Sequence, residues 1–393
     1  MKTLDRMRQA VASRPAELAD ARSRGRKVLG YFCCYVPEEI VDALGMIPVR
    51  LGRGGDETLV DLGARYTSSN NCVFIRESMG LFAEGKDPYV LSSDYIAVAG
   101  TCIQMYRLSE LIKYYFNPHT VALGVPRNFY LPEGKTFFRH EMADFVHQLE
   151  ALAGQTLDPA RLSESIQLYR QIRETVLELY DRQADDSSPI SWPEMLDVIQ
   201  AGFYLDRRQY LSLLRELLAE VASAAPAGPD RRPRIYLSGS IVAPGDTKIV
   251  GLIQELGGRI VTDDLCTGLR FHRGVVVSDH SVEGIADAYL GRIPCGSLPC
   301  LLPLDQDQRF VTMLELARQY RAEGLIYHTL RFCDPFTFKA NTTMKYLREK
   351  LELPFLELHT EYSPSDVEAL RTRLESFVDM IYVLREDKEL EKC

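Results

Sequence analysis

The residues of this 393-residue chain that could do chemistry are its nine cysteines: Cys33, Cys34, Cys72, Cys102, Cys266, Cys295, Cys300, Cys333 and Cys393. Their spacing narrows the chemistry. Structural zinc is usually marked by close C-x-x-C pairs, and the chain has none; "CGSLPC", with four residues between Cys295 and Cys300, comes nearest. Thiolates far apart in sequence and drawn from different loops suit iron–sulfur clusters, where cysteine ligation dominates. A single buried cysteine is often just a small apolar side chain, so the argument rests on where the cysteines fall together.

The elements that must position them alternate. Residues 3–24 read as a leading amphipathic helix. "RKVLGYFCC" gives a strand that stops at Cys33 and Cys34, "PEEIVDALG" a helix and "IPVRLG" another strand. Pro37 at the helix start and Gly45 past its end follow the usual asymmetry, and Glu38 and Glu39 suit the positive end of the helix dipole. "SSNNCVFIRESMGLFAEG" reads as a capped helix carrying Cys72 in its first turn. "DYIAVAGTC" is a strand ending at Cys102, followed by the helix "IQMYRLSELIKYY" and the strand "HTVALGVP". From about 139 to 222 helical periodicity replaces the strand signal. "AAPAGPDRRP", 224–233, is a Pro/Gly-rich linker.

The alternation then resumes. "RIYLSGS" is a strand and "DTKIVGLIQELGG" a helix, and "RIVTDDLC" and "GLIYHTLRFC" are strands ending at Cys266 and Cys333. "FKANTTMKYLREKLE" is a helix, "LPFLELHTEY" a strand and "SPSDVEALRTRLESFVDMIYVLRE" the closing helix. Cys295 sits in the Gly/Pro loop "GRIPCGSLPC". This order predicts an α/β protein with two parallel-sheet lobes. The division is an N-terminal lobe with its leading helix (1–138), a helical section (139–223), a linker (224–233) and a C-terminal lobe (234–393).

In open parallel sheets, ligands lie outside the carboxyl ends of the strands. Cys33, Cys102, Cys266 and Cys333 each follow a predicted strand, so they can converge on one crevice between the lobes. Thiolates in a cleft are metal-ligand or redox candidates. The helix start at Cys72 and nearby loop amides could donate hydrogen bonds to anionic cluster sulfides.

Other motifs are weaker. "GRGGDE", 52–57, lacks the Lys-Ser/Thr of a phosphate loop and reads as a turn. His328 and His359 read as satisfied core histidines, and the Tyr-rich helices as core. Glu38 and Glu39 could offer a general acid, but helix capping explains them. Ser68 to Asn71 are cap residues that would line the mouth of the crevice. A net charge of −9 argues against a broad nucleic-acid surface. The charged N-terminus has no signal-peptide core, and no stretch is apolar for the length of a membrane helix. A cytoplasmic protein is expected.

"GYFCCYVPEEIVDALGMIPVRL", "SSNNCVFIRESMG", "DYIAVAGTCIQMYRLSELI", "GRIPC" and "RFCDPFTFKANTTMKYLREKLELPFLELHTEY" resemble the 2-hydroxyacyl-CoA dehydratase/benzoyl-CoA reductase subunit family. The resemblance covers most of the chain and thins in the helical section. It implies two flavodoxin-like lobes with a helical section between them and iron–sulfur clusters at the seam. In the family's dehydratase subunits three cysteines hold a [4Fe-4S] cluster, and these correspond to Cys72, Cys102 and Cys333. The resemblance also implies an ATP-hydrolysing iron–sulfur activator as partner. It injects a low-potential electron that reaches a thioester carbonyl, and the resulting ketyl radical allows loss of a β-hydroxyl or reduction of an aromatic ring.

A second branch of the family, the double-cubane cluster proteins, are homodimers that hold two sulfide-bridged cubanes per chain on six cysteines. Matching that pattern adds Cys33 (chosen over Cys34), Cys266 and Cys295 (chosen over Cys300), and leaves out Cys393. The expected ligands are then Cys33, Cys72, Cys102, Cys266, Cys295 and Cys333. The expected partners are the activator, a small-molecule or acyl-CoA substrate, and a second chain in a homodimer or heterodimer. The alternatives are a dehydratase subunit with a single [4Fe-4S] cluster, a cluster-free interaction or assembly protein, and a zinc-containing structural protein.

Overall fold

The computed structural model describes residues 1–225 and 228–390; part of the expected linker, 226–227, and Cys393 lie outside the described residues. Among the described residues, eight strands form two four-stranded sheets, all of whose pairings are parallel. The first sheet contains β1 (Val28–Phe32), β2 (Ile47–Arg50), β3 (Tyr95–Gly100) and β4 (Thr120–Gly124), in the order β2-β1-β3-β4. The second contains β5 (Arg234–Gly239), β6 (Arg259–Asp263), β7 (Gly324–Leu330) and β8 (Phe355–Thr360), in the order β6-β5-β7-β8. The expected α/β fold of two lobes is therefore present, and both lobes share one winding.

That winding explains where a ligand belongs. In each sheet the chain turns from its first strand to one side, then crosses to the other. The connections leaving β1 and β3 diverge, as do those leaving β5 and β7, and a crevice opens at the carboxyl ends between them. β1, β5, β6 and β7 are buried along their whole length. Strands covered on both faces need no polar alternation, which is why they read as apolar runs.

The helix Glu38–Ala43 begins after Pro37 and is followed by Gly45 at φ +71°, the left-handed stop expected from the sequence. "GRGGDE" is a turn, as expected, and it touches the second lobe: the Gly54 amide donates to the Pro244 carbonyl at 3.1 Å. Its Asp56 then caps the helix Glu57–Gly63 by accepting from the Thr58 and Leu59 amides. That helix, Val282–Gly291 and Gln308–Gln319 have no counterpart in the sequence reading. Each starts at a side-chain cap (Asp56, Ser281 and Asp307), so the signal was there but had no strand pattern beside it.

Helices Pro132–Ala153, Pro159–Asp181, Trp192–Ala201 and Arg207–Ser223 fill the stretch where the strand signal fades. Their ties run both ways. Trp192 Nε1 donates to Asp263 at the end of β6 at 2.9 Å, and Arg173 and Arg207 pair with Glu39 and Glu38. No helix among the described residues is long and apolar enough to cross a membrane.

Candidate metal centre

A cavity with about 800 Å³ of empty space, part of it open to solvent, lies where the two lobes meet. Cys33, Cys72, Cys102, Cys266, Cys295 and Cys333 all line it. Cys34 lines it as well, and Cys300 is not among its lining residues. The first lobe supplies Cys33 after β1 and Cys102 after β3, at its switch point. The second supplies Cys266 beyond β6, Cys333 beyond β7, and Cys295 from the Gly/Pro loop. None of these cysteines is the last residue of its strand: β3, β6 and β7 end at Gly100, Asp263 and Leu330. Cys33, Cys102, Cys266 and Cys333 belong to loops that follow strands, and Cys295 to the loop between helices Val282–Gly291 and Gln308–Gln319.

Cys72, Cys102 and Cys333 share one local position. Each immediately precedes a helix: Val73–Glu84, Ile103–Tyr115 and Asp334–Leu351. Cys72 is thus the cap residue rather than part of the first turn, because the turn through Ser68 to Asn71 delivers the chain one residue short of the helix. Those four residues do not line the cavity, contrary to expectation. A helix N-terminus carries about half a positive charge and unpaired amides, which favours sulfur bearing negative charge.

Cys72 and Cys333 form a close pair, and the contact with Cys72, then burial, pushes the Cys333 thiol up. The partner thiol, then the amides of Phe74 and Ile75, hold Cys72 below the ordinary thiol range against its burial. At Cys102 burial prevails over the Gln104 and Met105 amides and pushes the thiol up to about 11.

The other cysteines are held by side chains. The Arg50 guanidinium donates to the Cys266 carbonyl at 2.9 Å and lies 3.8 Å from its sulfur. The Ser297 hydroxyl donates to the Thr101 carbonyl at 2.9 Å and lies 3.1 Å from Cys295 Sγ. Cys33 takes φ +78° and Phe332, next to Cys333, φ +62°. Side chains rarely adopt this left-handed region, and such strain, on the order of 1 kcal/mol each, concentrates at functional sites.

The donor set is soft. Seven sulfurs face the cavity beside apolar side chains such as Phe74, Ile75, Met105 and Phe336, and no His, Asp or Glu is among its lining residues. Among the described residues no three His, Cys, Asp or Glu side chains are grouped closely enough to hold a single ion. A wide, thiol-only set from separate loops fits an iron–sulfur cluster better than a mononuclear zinc site.

Comparison with known proteins gives the family. The family described as "2-hydroxyglutaryl-CoA dehydratase, D-component" matches residues 33–381. The chain belongs to this D-component family. YjiM of Escherichia coli (strain K12), provisionally named a dehydratase subunit, is 26% identical over 366 residues, covering 92% of this chain and 93% of that one. The (R)-phenyllactyl-CoA dehydratase beta subunit of Clostridium sporogenes is 23% identical over 360 residues, 91% of this chain and 92% of its own. A benzoyl-CoA reductase subunit of Thauera aromatica is 24% identical over 360 residues, 91% of each protein. The D-component relatives are thus subunits of dehydratases and of a reductase.

In this D-component chain the glutamates of "YVPEE" do more than cap a helix. Glu38 and Glu39 are 4% and 0% exposed. Glu38 accepts from the Tyr31 hydroxyl at 2.7 Å and pairs with Arg207; burial still pushes its carboxyl up, against Arg207. Glu39 pairs with Arg173 and accepts from the Tyr289 hydroxyl. A "PEE" helix start looks the same whether its acids face water or a buried arginine, so the sequence hid this. His328 is buried, with Nε2 on the Thr360 hydroxyl at 2.6 Å and Nδ1 unpartnered. His359 corrects the sequence reading: it is exposed on β8, within 2.9 Å of Glu357. Tyr169, Tyr204 and Tyr210 are core as expected, but both tyrosines of "KYYF", Tyr114 and Tyr115, are exposed. The sequence reading also missed Arg50, buried in the cavity lining, and Arg270 and Arg292, buried on the carbonyls of Pro294 and Cys34, without any motif to mark them.

Proposed function

We propose that this D-component chain is an iron–sulfur redox protein of the 2-hydroxyacyl-CoA dehydratase family. It receives low-potential electrons from an ATP-dependent iron–sulfur activator and delivers them to a small substrate at the seam of the lobes. The observation that carries this reading is that six cysteines from both lobes line one cavity. Cys33, Cys72, Cys102, Cys266, Cys295 and Cys333 are the proposed ligands of a sulfide-bridged double cubane. Bound there, such a group would supply one-electron chemistry.

The chain's own residues bind, orient and shield. The helix starts at Cys72, Cys102 and Cys333 present amides to the site, Ser297 lies beside Cys295, and Phe74, Met105 and Phe336 limit water. We also propose the division into lobes at 138/139 and 233/234, a dimeric assembly and a cytoplasmic location.

A second reading is a dehydratase subunit with a single [4Fe-4S] cluster, acting on a CoA thioester through a ketyl radical. It is favoured by the helix-start position that Cys72, Cys102 and Cys333 alone share among the six. Iron and sulfide analysis of protein purified without oxygen separates the two. About eight irons per chain supports the double cubane and about four the single cluster, for cubanes held on cysteine thiolates. Colourless, iron-free protein overturns both and favours the assembly protein.

A further inference from the structure

Arg50 lines the cavity, and two further buried arginines, Arg270 and Arg292, reach the carbonyls of Pro294 and Cys34 without lining it. Arg50, Arg270 and Arg292 are 4%, 4% and 2% exposed. Among the described residues none of them lies within 4.0 Å of a carboxylate, whereas Arg173, Arg207 and Arg309, equally buried, each have an acid partner. Asp264 is the carboxylate that acts on Arg270, from beyond that distance.

The guanidinium of Arg50 lies over the Phe203 and Phe271 rings and that of Arg292 over the Tyr35 and Tyr289 rings, and their polar contacts lie beside the cysteines. Arg50 lines the cavity and reaches the Cys266 carbonyl and sulfur. Arg292 donates to the Cys34 carbonyl and the Arg270 carbonyl. Arg270 makes one long bond, 3.4 Å, to the carbonyl of Pro294, the residue before Cys295, and its Nε has no partner. The Nε of Arg292 is also unpartnered.

A guanidinium cannot shed its proton at any ordinary pH. Burying one without a counter-charge costs several kcal/mol. Three buried together, with carbonyls, aromatic rings and a single distant carboxylate as partners, point to negative charge held in the site itself. Around Cys72, Cys102 and Cys333 helix N-termini add positive potential, and one buried guanidinium nearby, Arg76, likewise bonds a carbonyl, that of Asn71, and faces a ring, that of Phe332.

We infer that Arg50, Arg270 and Arg292 are the counter-charge for an anionic iron–sulfur centre held by Cys33, Cys266 and Cys295, so that this half of the site carries its own centre rather than spare thiols. This rests on the iron–sulfur reading above and goes beyond it, since it assigns charge-compensating residues to the second half of the site.

The test is Arg270→Gln, with Arg270→Lys as the charge-conserving control and Arg50→Gln as a second site. Melting temperatures are measured on iron-free and on anaerobically reconstituted protein, with iron per chain. Removing an uncompensated buried charge raises the melting temperature of the iron-free Gln variants above wild type. The same substitutions lower it in the reconstituted protein and reduce bound iron by up to half. Arg270→Lys restores wild-type iron.

A fall of similar size in both forms, or Gln variants that fold only with iron, makes the arginines merely structural and overturns the inference. Full iron content with unchanged melting temperatures overturns it too. Either result leaves the iron–sulfur reading intact, provided wild type binds iron; wild type that binds none overturns both.

Discussion

The Tyr289 hydroxyl donates a 2.7 Å hydrogen bond to the carboxylate of Glu39, 250 residues away in sequence. The other carboxylate oxygen pairs with Arg173. One fully buried acid therefore joins the short helix after β1 to helix Pro159–Asp181 and to helix Val282–Gly291. These belong to the first lobe, the helical stretch and the second lobe. The relative placement of the lobes, and hence the shape of the cysteine cavity, depends on contacts of this kind.

Removing that acid leaves Arg173 buried and uncompensated. Glu39→Ala is expected to cost about 3–5 kcal/mol, the usual penalty for breaking a buried pair from one side. Glu39→Gln, which keeps hydrogen-bonding atoms in place, should cost less. Urea denaturation measures both, and an alanine variant as stable as wild type would refute the tie.

Helix Val73–Glu84, which starts at Cys72, crosses helix Glu57–Gly63 through two glycines. A Cβ at Gly80 would collide with the Leu59 carbonyl, and one at Gly63 with the Arg76 carbonyl. Both obstacles are backbone and cannot rotate away. Gly80→Ala should therefore cost on the order of 3 kcal/mol by overpacking and displace the helix start that presents Cys72. Thermal unfolding and iron content should fall together; a variant with normal values for both would show that the crossing does not position Cys72.

The cysteine assignments differ at a single comparison. Cys300 is not among the lining residues of the cavity and Cys295 is. Cys300→Ser should keep full iron content after anaerobic reconstitution, whereas Cys295→Ser and Cys266→Ser should each lower it. The reverse pattern would move the ligand to the other end of "CGSLPC".

Glu77, 1% exposed, is pushed up from 4.5 to about 8 by burial. The folded protein holds a proton there that the unfolded chain releases once pH passes 4.5. The contribution to stability is complete below 4.5, declines as pH rises and is lost above 8. Asp246, pushed up to about 6 by burial, acts with the same sign over a lower range. Glu77→Gln should therefore flatten the pH dependence of stability between 6 and 8 and be more stable than wild type at pH 9. Parallel urea curves for the two proteins across that range would exclude this account of Glu77.

Much of the architecture was legible in the sequence because its causes are local. Apolar runs such as "VLGYF" and "GLIYHTL" can only be strands buried on both faces, Gly45 supplies a left-handed stop, and strand–helix alternation enforces parallel sheets. The candidate cysteines were legible for the same reason, since position after a strand is a sequence property. Isolated caps such as Ser281 and Asp307 went unread because a cap alone does not announce the helix behind it.

What the tertiary structure alone decided was which distant residues share a surface. Cys33 and Cys333 face one cavity, Glu39 meets Tyr289, and Arg292, with no motif to mark it, bonds the carbonyls of Cys34 and Arg270. Local propensity sets where the chain turns. Which charges are buried against which depends on desolvation, and desolvation exists only once the lobes have closed on each other.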